Sequence, residues 1–135
     1  MVFTQSLKQN HLFRRLYQRG KSAAGRCVVV YCRKNGLGRN RLGITAGTKV
    51  GHAVVRNRVR RRIREAYRLS ESEYRRGYDI VVVARTRAAS ATYREIADCL
   101  RTQSERLGLI RKEDGSHEAA SAVADPVLPD AHLPS

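Results

Sequence analysis

Apolar positions recur along the chain at two different periods, and the switches between them mark the elements. Leu12, Phe13, Leu16 and Tyr17 fall at helical spacing, with Asn10 before them as a cap and Gly20 after them as a stop. Cys27-Val-Val-Val-Tyr-Cys32, enclosed by Arg26 and Arg33, is a β-branched run of strand character. Leu42, Ile44 and Ala46 alternate with Arg41, Gly43 and Thr45, and the Gly36–Gly38 turn predicts that this second strand pairs with the first. Val55, Val59, Ile63, Ala66 and Tyr67 gather within an arc of about 120°, which predicts an amphipathic helix over about 52–69. Tyr78 to Arg85 encloses Ile-Val-Val-Val-Ala, a third strand. Thr92-Tyr-Arg-Glu95 is a capping box that opens a last helix through Ile96, Leu100 and Leu107 to Gly108. The order α-β-β-α-β-α predicts an α+β fold, a small α-β sandwich with helices covering a mixed sheet.

Length and charge narrow what such a fold does. The chain has 135 residues, enough for one domain, with 27 Lys+Arg against 12 Asp+Glu and a net charge of +15. No acid precedes Glu65, while residues 1–64 hold 17 basic residues, so the first half is a surface for a polyanion. The folded unit is expected over 1–111. Residues 112–135 carry one Lys, five acids and all three prolines without a hydrophobic period, and are expected to form a disordered acidic tail. No apolar run reaches the roughly 20 residues of a membrane span, and no signal-peptide pattern opens the chain. Cys27, Cys32 and Cys99 form no CxxC, and the histidines show no ligand spacing. They read as reduced thiols in a cytoplasmic protein, with no metal site.

The helix around residue 60 holds the strongest signal. Opposite its apolar stripe lie Arg56, Asn57, Arg58, Arg60, Arg61, Arg64 and Arg68, with Arg62 at the margin and Glu65 as the one acid. Pairs 56/60, 60/64 and 64/68 set like charges at i,i+4, each costing a few tenths of a kcal/mol in the free protein. A solvated charged face normally mixes signs. Arginine suits bidentate phosphate contacts and stacking on bases, so the expected partner is a nucleic acid.

The run Gly51-His-Ala-Val-Val-Arg-Asn-Arg-Val-Arg-Arg-Arg-Ile-Arg-Glu-Ala-Tyr67 resembles the signature of the bacterial ribonuclease P protein-subunit family. The resemblance extends to Leu7, Asn10, Phe13 and Gly20 upstream and through Gly77-Tyr-Asp-Ile-Val-Val-Val-Ala-Arg85 downstream, covering about 7–110. Thr48 and His52 stand where many relatives carry Lys, which thins the charge of the loop. The resemblance implies a ribonucleoprotein subunit that helps a catalytic RNA remove the 5′ leader from precursor tRNA. The catalytic centre and its Mg²⁺ then lie on the RNA, and no cofactor or protein partner is implied for the chain itself. It also implies a fold like the second domain of ribosomal protein S5, with a left-handed βαβ crossover around the basic helix. Lys49, Arg56, Asn57, Arg58, Arg60, Arg61 and Arg64 are then expected on the catalytic RNA.

Phe13 and Tyr17 lie four apart on the first helix and Tyr31 projects from the first strand, with Cys27 and Val29 expected on the same face. Read from composition, these aromatics are core residues. The resemblance implies instead a cleft for the single-stranded leader, where rings stack on bases and arginines follow phosphates. No paired-carboxylate, Ser/His/Asp or Cys/His arrangement is evident, and Asp79, Glu71 and Glu73 read as turn and surface chemistry. A ribosome-like RNA-binding module and a self-sufficient nuclease are the competing readings, and the missing carboxylate cluster opposes the second.

Overall fold

The most apolar stretch of the chain takes the middle of the sheet. In the computed structural model, which describes residues 1–111, the order is β1 (Thr4–Ser6), α1 (Asn10–Arg19), β2 (Lys21–Ala24), β3 (Val28–Lys34), β4 (Asn40–Thr45), α2 (Ala53–Ser70), β5 (Tyr78–Ala84) and α3 (Tyr93–Arg106). Short 3-10 turns occupy Thr48–Val50, Glu71–Glu73 and Thr86–Ser90. The five strands lie in the order β1-β4-β5-β3-β2, with β5 parallel to β4 and antiparallel to β3. The architecture is thus the expected α+β sandwich, and segment 112–135, read above as a tail, lies outside the described residues.

Three expectations about the secondary-structure elements need correction. The strands β3 and β4 do not form a hairpin, because β5 is slotted between them and pairs with both. Inserting the five-residue apolar run Ile80–Ala84 there covers it on both edges and both faces, which a β3–β4 hairpin would forbid. Asn35 holds the connecting segment over the start of β5. Its backbone N–H donates to Gly77 O (2.9 Å), and its side chain donates to Asp79 Oδ1 (3.0 Å). Second, β1 and β2 have no counterpart in the expected element order. Both are short and polar or small, and both are edge strands recruited by backbone pairing rather than by an apolar period. Third, Asn10 is not a cap. The helix α1 begins at Asn10 itself, with Gln9 at the cap position and no side-chain capping bond.

Helices cover the sheet unequally. The side chains of Val28, Val30, Cys32, Ile80 and Val82 point to the face under α2 and α3, where Val59, Ile63, Tyr67, Ile96 and Leu100 complete the main core. Val29, Tyr31, Val81 and Val83 point to the opposite face, under Phe13 and Leu16 of α1. Cys27 departs from this alternation. It precedes β3 in a bend and joins the α3 side, not the Tyr31 side. Burial pushes the Cys32 thiol up to about 12 and raises that of Cys27, so both stay protonated. The capping box of α3 is formed as expected, with Glu95 N–H donating to Thr92 Oγ1 (3.1 Å) and Thr92 N–H donating to Glu95 Oε1 (2.8 Å).

The three acids read as turn and surface chemistry have separate structural tasks. Asp79 is buried and takes a bidentate pair from Arg41 at 2.7 and 2.8 Å. Glu71 is buried as well, and its carboxylate accepts the backbone N–H groups of Val2 (2.7 Å) and Phe3 (3.0 Å), so it anchors the strand β1. Burial opposes the Glu71 charge, but the bonds from Thr4, Val2 and Phe3 outweigh it and hold the carboxyl below its ordinary value. Glu73, more exposed, pairs with Arg101 of α3.

Candidate nucleic-acid interface

The basic helix is placed by its apolar stripe. Val59, Ile63, Ala66 and Tyr67 are buried against the sheet and α3, with Val55 half-buried at the start. The Tyr67 hydroxyl bonds Thr4 Oγ1 (2.8 Å) and accepts from Asn40 Nδ2 (3.2 Å), which ties the far end of α2 to β1 and β4. At the near end Gly51 turns the chain at φ 154°, in the left-handed region that disfavours side chains, with Val55 only 3.0 Å from where a Cβ would sit. The helix starts at Ala53 with no side-chain cap and no acid in its first turn. Among the described residues no side chain caps its first N–H groups, and its positive dipole end follows the 3-10 turn that carries the exposed Lys49.

The arginines of α2 divide into two sets. Arg58 donates to Ala89 O (3.2 Å) and Arg62 to Ala91 O (2.9 Å), so both brace the Thr86–Ser90 turn against the helix. Arg68 pairs with Glu65 at 2.6 Å. Arg60 donates to Asn57 Oδ1 (2.7 Å) and, at 3.5 Å, to Ala46 O after β4, so it is half-buried between the helix and that loop. Arg56, Arg61 and Arg64 make no hydrogen bond or ion pair among the described residues, and Arg61 and Arg64 are exposed. The Nε donors of Arg56 and Arg58 are buried without a partner among the described residues. The sequence pattern sets Arg62 at the margin and places Arg58 among the RNA-facing arginines; the structure reserves both in part for holding the fold.

On the opposite face the three aromatics do converge. Tyr17 meets Tyr31 edge-on at 4.9 Å between ring centroids, and Phe13 at 6.5 Å. Phe13 is 3% exposed and Tyr31 2%, so both lie mostly within the second core, and Tyr17 is the outermost ring. Burial, and then the neighbouring Tyr31, raises the Tyr17 hydroxyl well above its ordinary value, so it stays a neutral donor. Gly43, which the sequence pattern does not single out, belongs here too. It lies under the Phe13 ring, and a Cβ there would stand 2.5 Å from Phe13 Cζ. A glycine inside an alternating strand is the available signal for such close approach. From Phe13 and Gly43 a groove of about 590 Å³ runs past Lys8 around the β4 edge to Arg64 of α2. It connects the aromatic face with the arginine face where β1, paired only to Asn40–Leu42, stops covering β4.

The sequence and the fold that build this layout are shared with known proteins. Residues 1–108 match the family Ribonuclease P. The chain belongs to the ribonuclease P protein family. It is 42% identical over 112 residues to the ribonuclease P protein component of Alkaliphilus metalliredigens, covering 83% of this chain and 96% of that protein. Against the Lachnoclostridium phytofermentans component it is 46% identical over 97 residues, covering 72% and 84%. The solved RNase P protein of Staphylococcus aureus superposes with a TM-score of 0.73 at 34% identity, covering 78% of this chain and 97% of that one. The Thermotoga maritima protein gives 0.67 at 30% identity, covering 73% and 93%. The family match stops at residue 108, before the acidic segment that follows Arg111.

The two arginine sets separate in a stability measurement. Arg62→Ala removes a charge-assisted bond to Ala91 O and should cost about 1–2 kcal/mol, lowering the thermal midpoint by several degrees. Arg61→Ala removes only like-charge repulsion and should leave the stability within about 0.5 kcal/mol of the parent, with the midpoint unchanged or slightly raised. Thermal unfolding followed by circular dichroism reads both.

Proposed function

We propose that this chain binds the catalytic RNA of ribonuclease P through the outer side of α2 and presents the α1 face to the 5′ leader of precursor tRNA. The observation that carries this reading is the set Arg56, Arg61 and Arg64, unpaired among the described residues, beside Arg60 and Asn57 on a helix whose opposite side is locked into the core. Such a face is unfavourable alone and gains by meeting phosphates, to which arginines donate in pairs. Lys49 and the uncapped start of α2 extend the same positive surface. Arg58 contributes charge from its braced position.

The chain supplies binding and orientation, and the hydrolytic chemistry belongs to the RNA and its Mg²⁺. Among the described residues no group of three or more His, Cys, Asp or Glu side chains lies close enough to hold a metal ion. The buried carboxylates are spoken for, Asp79 by Arg41 and Glu71 by the β1 backbone. Single-stranded leader nucleotides passing the α1 face meet Tyr17 first, with Phe13 and Tyr31 holding its ring in place. Among the described residues no helix is long and apolar enough to cross a membrane.

Two measurements test the reading. With precursor tRNA and Mg²⁺, the chain alone should release no leader, while chain and catalytic RNA together should cleave faster than the RNA alone. Leader release by the chain alone would overturn the division of labour. For the aromatic face, Tyr17→Ala in the holoenzyme should weaken precursor binding by about 5- to 150-fold and leave mature tRNA unaffected. An equal loss for both substrates, or a large drop in thermal stability, would make Tyr17 a packing residue only.

A further inference from the structure

We propose that Cys27 and Cys99 are a redox-modification site, a dithiol that a hydroperoxide converts into an intramolecular disulfide. The two residues are far apart in the chain, and the fold brings them together. Cys27 sits in the bend between β2 and β3, buried on the α3 side of the sheet, and Cys99 lies half-buried on α3. Two observations set their side chains against each other. A Cβ at Gly25, two residues before Cys27, would stand 2.5 Å from Cys99 Sγ, so the glycine leaves the space in which the Cys99 thiol is seated. The Cys99 side chain is also within hydrogen-bonding reach of the Cys27 thiol, and burial first and then this neighbour raise the Cys27 thiol above its ordinary value. A cavity of about 360 Å³ between the bend and α3 opens over the pair, and both residues line it. Cys32, further along β3, is buried on the same side of the sheet and is not part of that lining.

The cavity mouth decides what reaches the thiols. Arg26, Arg87, Glu95 and Asp98 line it, two charges of each sign, and all four are exposed. Such a rim concentrates neither anions nor cations, and it admits a small uncharged oxidant such as hydrogen peroxide. Cys99, the more exposed of the pair, meets the oxidant first. Its thiolate attacks one peroxide oxygen and the O–O bond breaks, which leaves a sulfenic acid on Cys99 and releases hydroxide to take up the Cys99 proton as water. The Cys27 sulfur then attacks Cys99 Sγ. The S–S bond forms as the S–O bond breaks, and the departing hydroxide takes up the Cys27 proton as a second water. Two thiols and one hydrogen peroxide thus give one disulfide and two waters, each sulfur giving up one electron. Arg87 draws the Cys27 thiol down against its burial and so favours the thiolate for this attack, while Glu95 opposes it. The link fastens α3 to the start of β3 and closes a loop of about 70 residues, which narrows the unfolded ensemble.

The test treats the reduced full-length chain with a small excess of hydrogen peroxide, blocks the remaining thiols with iodoacetamide in denaturant and maps the peptides by mass. The expected product is a peptide pair joined through Cys27 and Cys99 with Cys32 alkylated, and dithiothreitol should restore both thiols. The thermal midpoint of the linked monomer should lie about 5–15 °C above that of the reduced protein. Cys99→Ser should form no link and show no rise in midpoint after peroxide, while Cys32→Ser should still form it. In Cys27→Ser, dimedone should trap the sulfenic acid on Cys99. Recovery of Cys99 as a sulfinic acid, or in a disulfide between two chains, with the Cys27 thiol free would overturn the proposal, as would a link through Cys32. A Cys27–Cys99 link formed without a rise in the midpoint would show the fold straining to make it, and would overturn the pair as a prearranged site.

Discussion

Burial of β5 is the constraint from which the rest of the molecule follows. Ile80–Ala84 is apolar at every position, so both faces and both edges of the strand must be covered. Its edges are met by β3 and β4, which splits what would otherwise be a hairpin. Its faces are met by α1 on one side and by α2 with α3 on the other. The two candidate RNA surfaces therefore stand back to back across one sheet. They communicate around the β4 edge, through the groove that joins Phe13 to Arg64. This layout offers two separate surfaces at once, which is what the proposed holding of a catalytic RNA and a substrate leader requires.

The second feature is a helix that is stable on one side and electrostatically frustrated on the other. The buried stripe of α2 and the Tyr67 hydroxyl bonds fix its position. That anchoring allows the outer side to carry like charges at i,i+4 and to leave the Nε donors of Arg56 and Arg58 without partners among the described residues. Natural proteins break local rules of this kind at functional sites and compensate elsewhere. Here the compensation is visible in Arg58 and Arg62, which turn outward cations into braces for the Thr86–Ser90 turn.

Much of this is legible in the chain itself. The arc of Val59, Ile63, Ala66 and Tyr67, the Thr92–Glu95 capping box and the β-branched runs of β3 and β5 each carry a local physical signal, and each forms as expected. Strand order is not legible, because any two β-branched runs satisfy the same pattern; only global burial of β5 selects its neighbours. Nor are β1 and β2, whose residues Thr4-Gln5-Ser6 and Lys21-Ser22-Ala23-Ala24 have no apolar alternation and are held by backbone pairing. At the site, the arginine face is evident in the sequence, but the division between bracing and unpaired arginines depends on Ala89 and Ala91, some thirty positions away. The burial of Phe13 and Tyr31 depends likewise on Gly43 and on the sheet beneath them.

The central claim, that the outward arginines of α2 bind RNA by their charge, is tested most directly by the salt dependence of affinity for the ribonuclease P RNA. Single alanine replacements at Arg56, Arg61 and Arg64 are compared with Arg68→Ala, whose charge already faces Glu65. The slope of log affinity against log salt should become shallower by about 0.7–0.9 for each phosphate no longer neutralised at the first three positions, and stay unchanged for Arg68→Ala. A slope that stays at the parent value in all three variants would contradict the account.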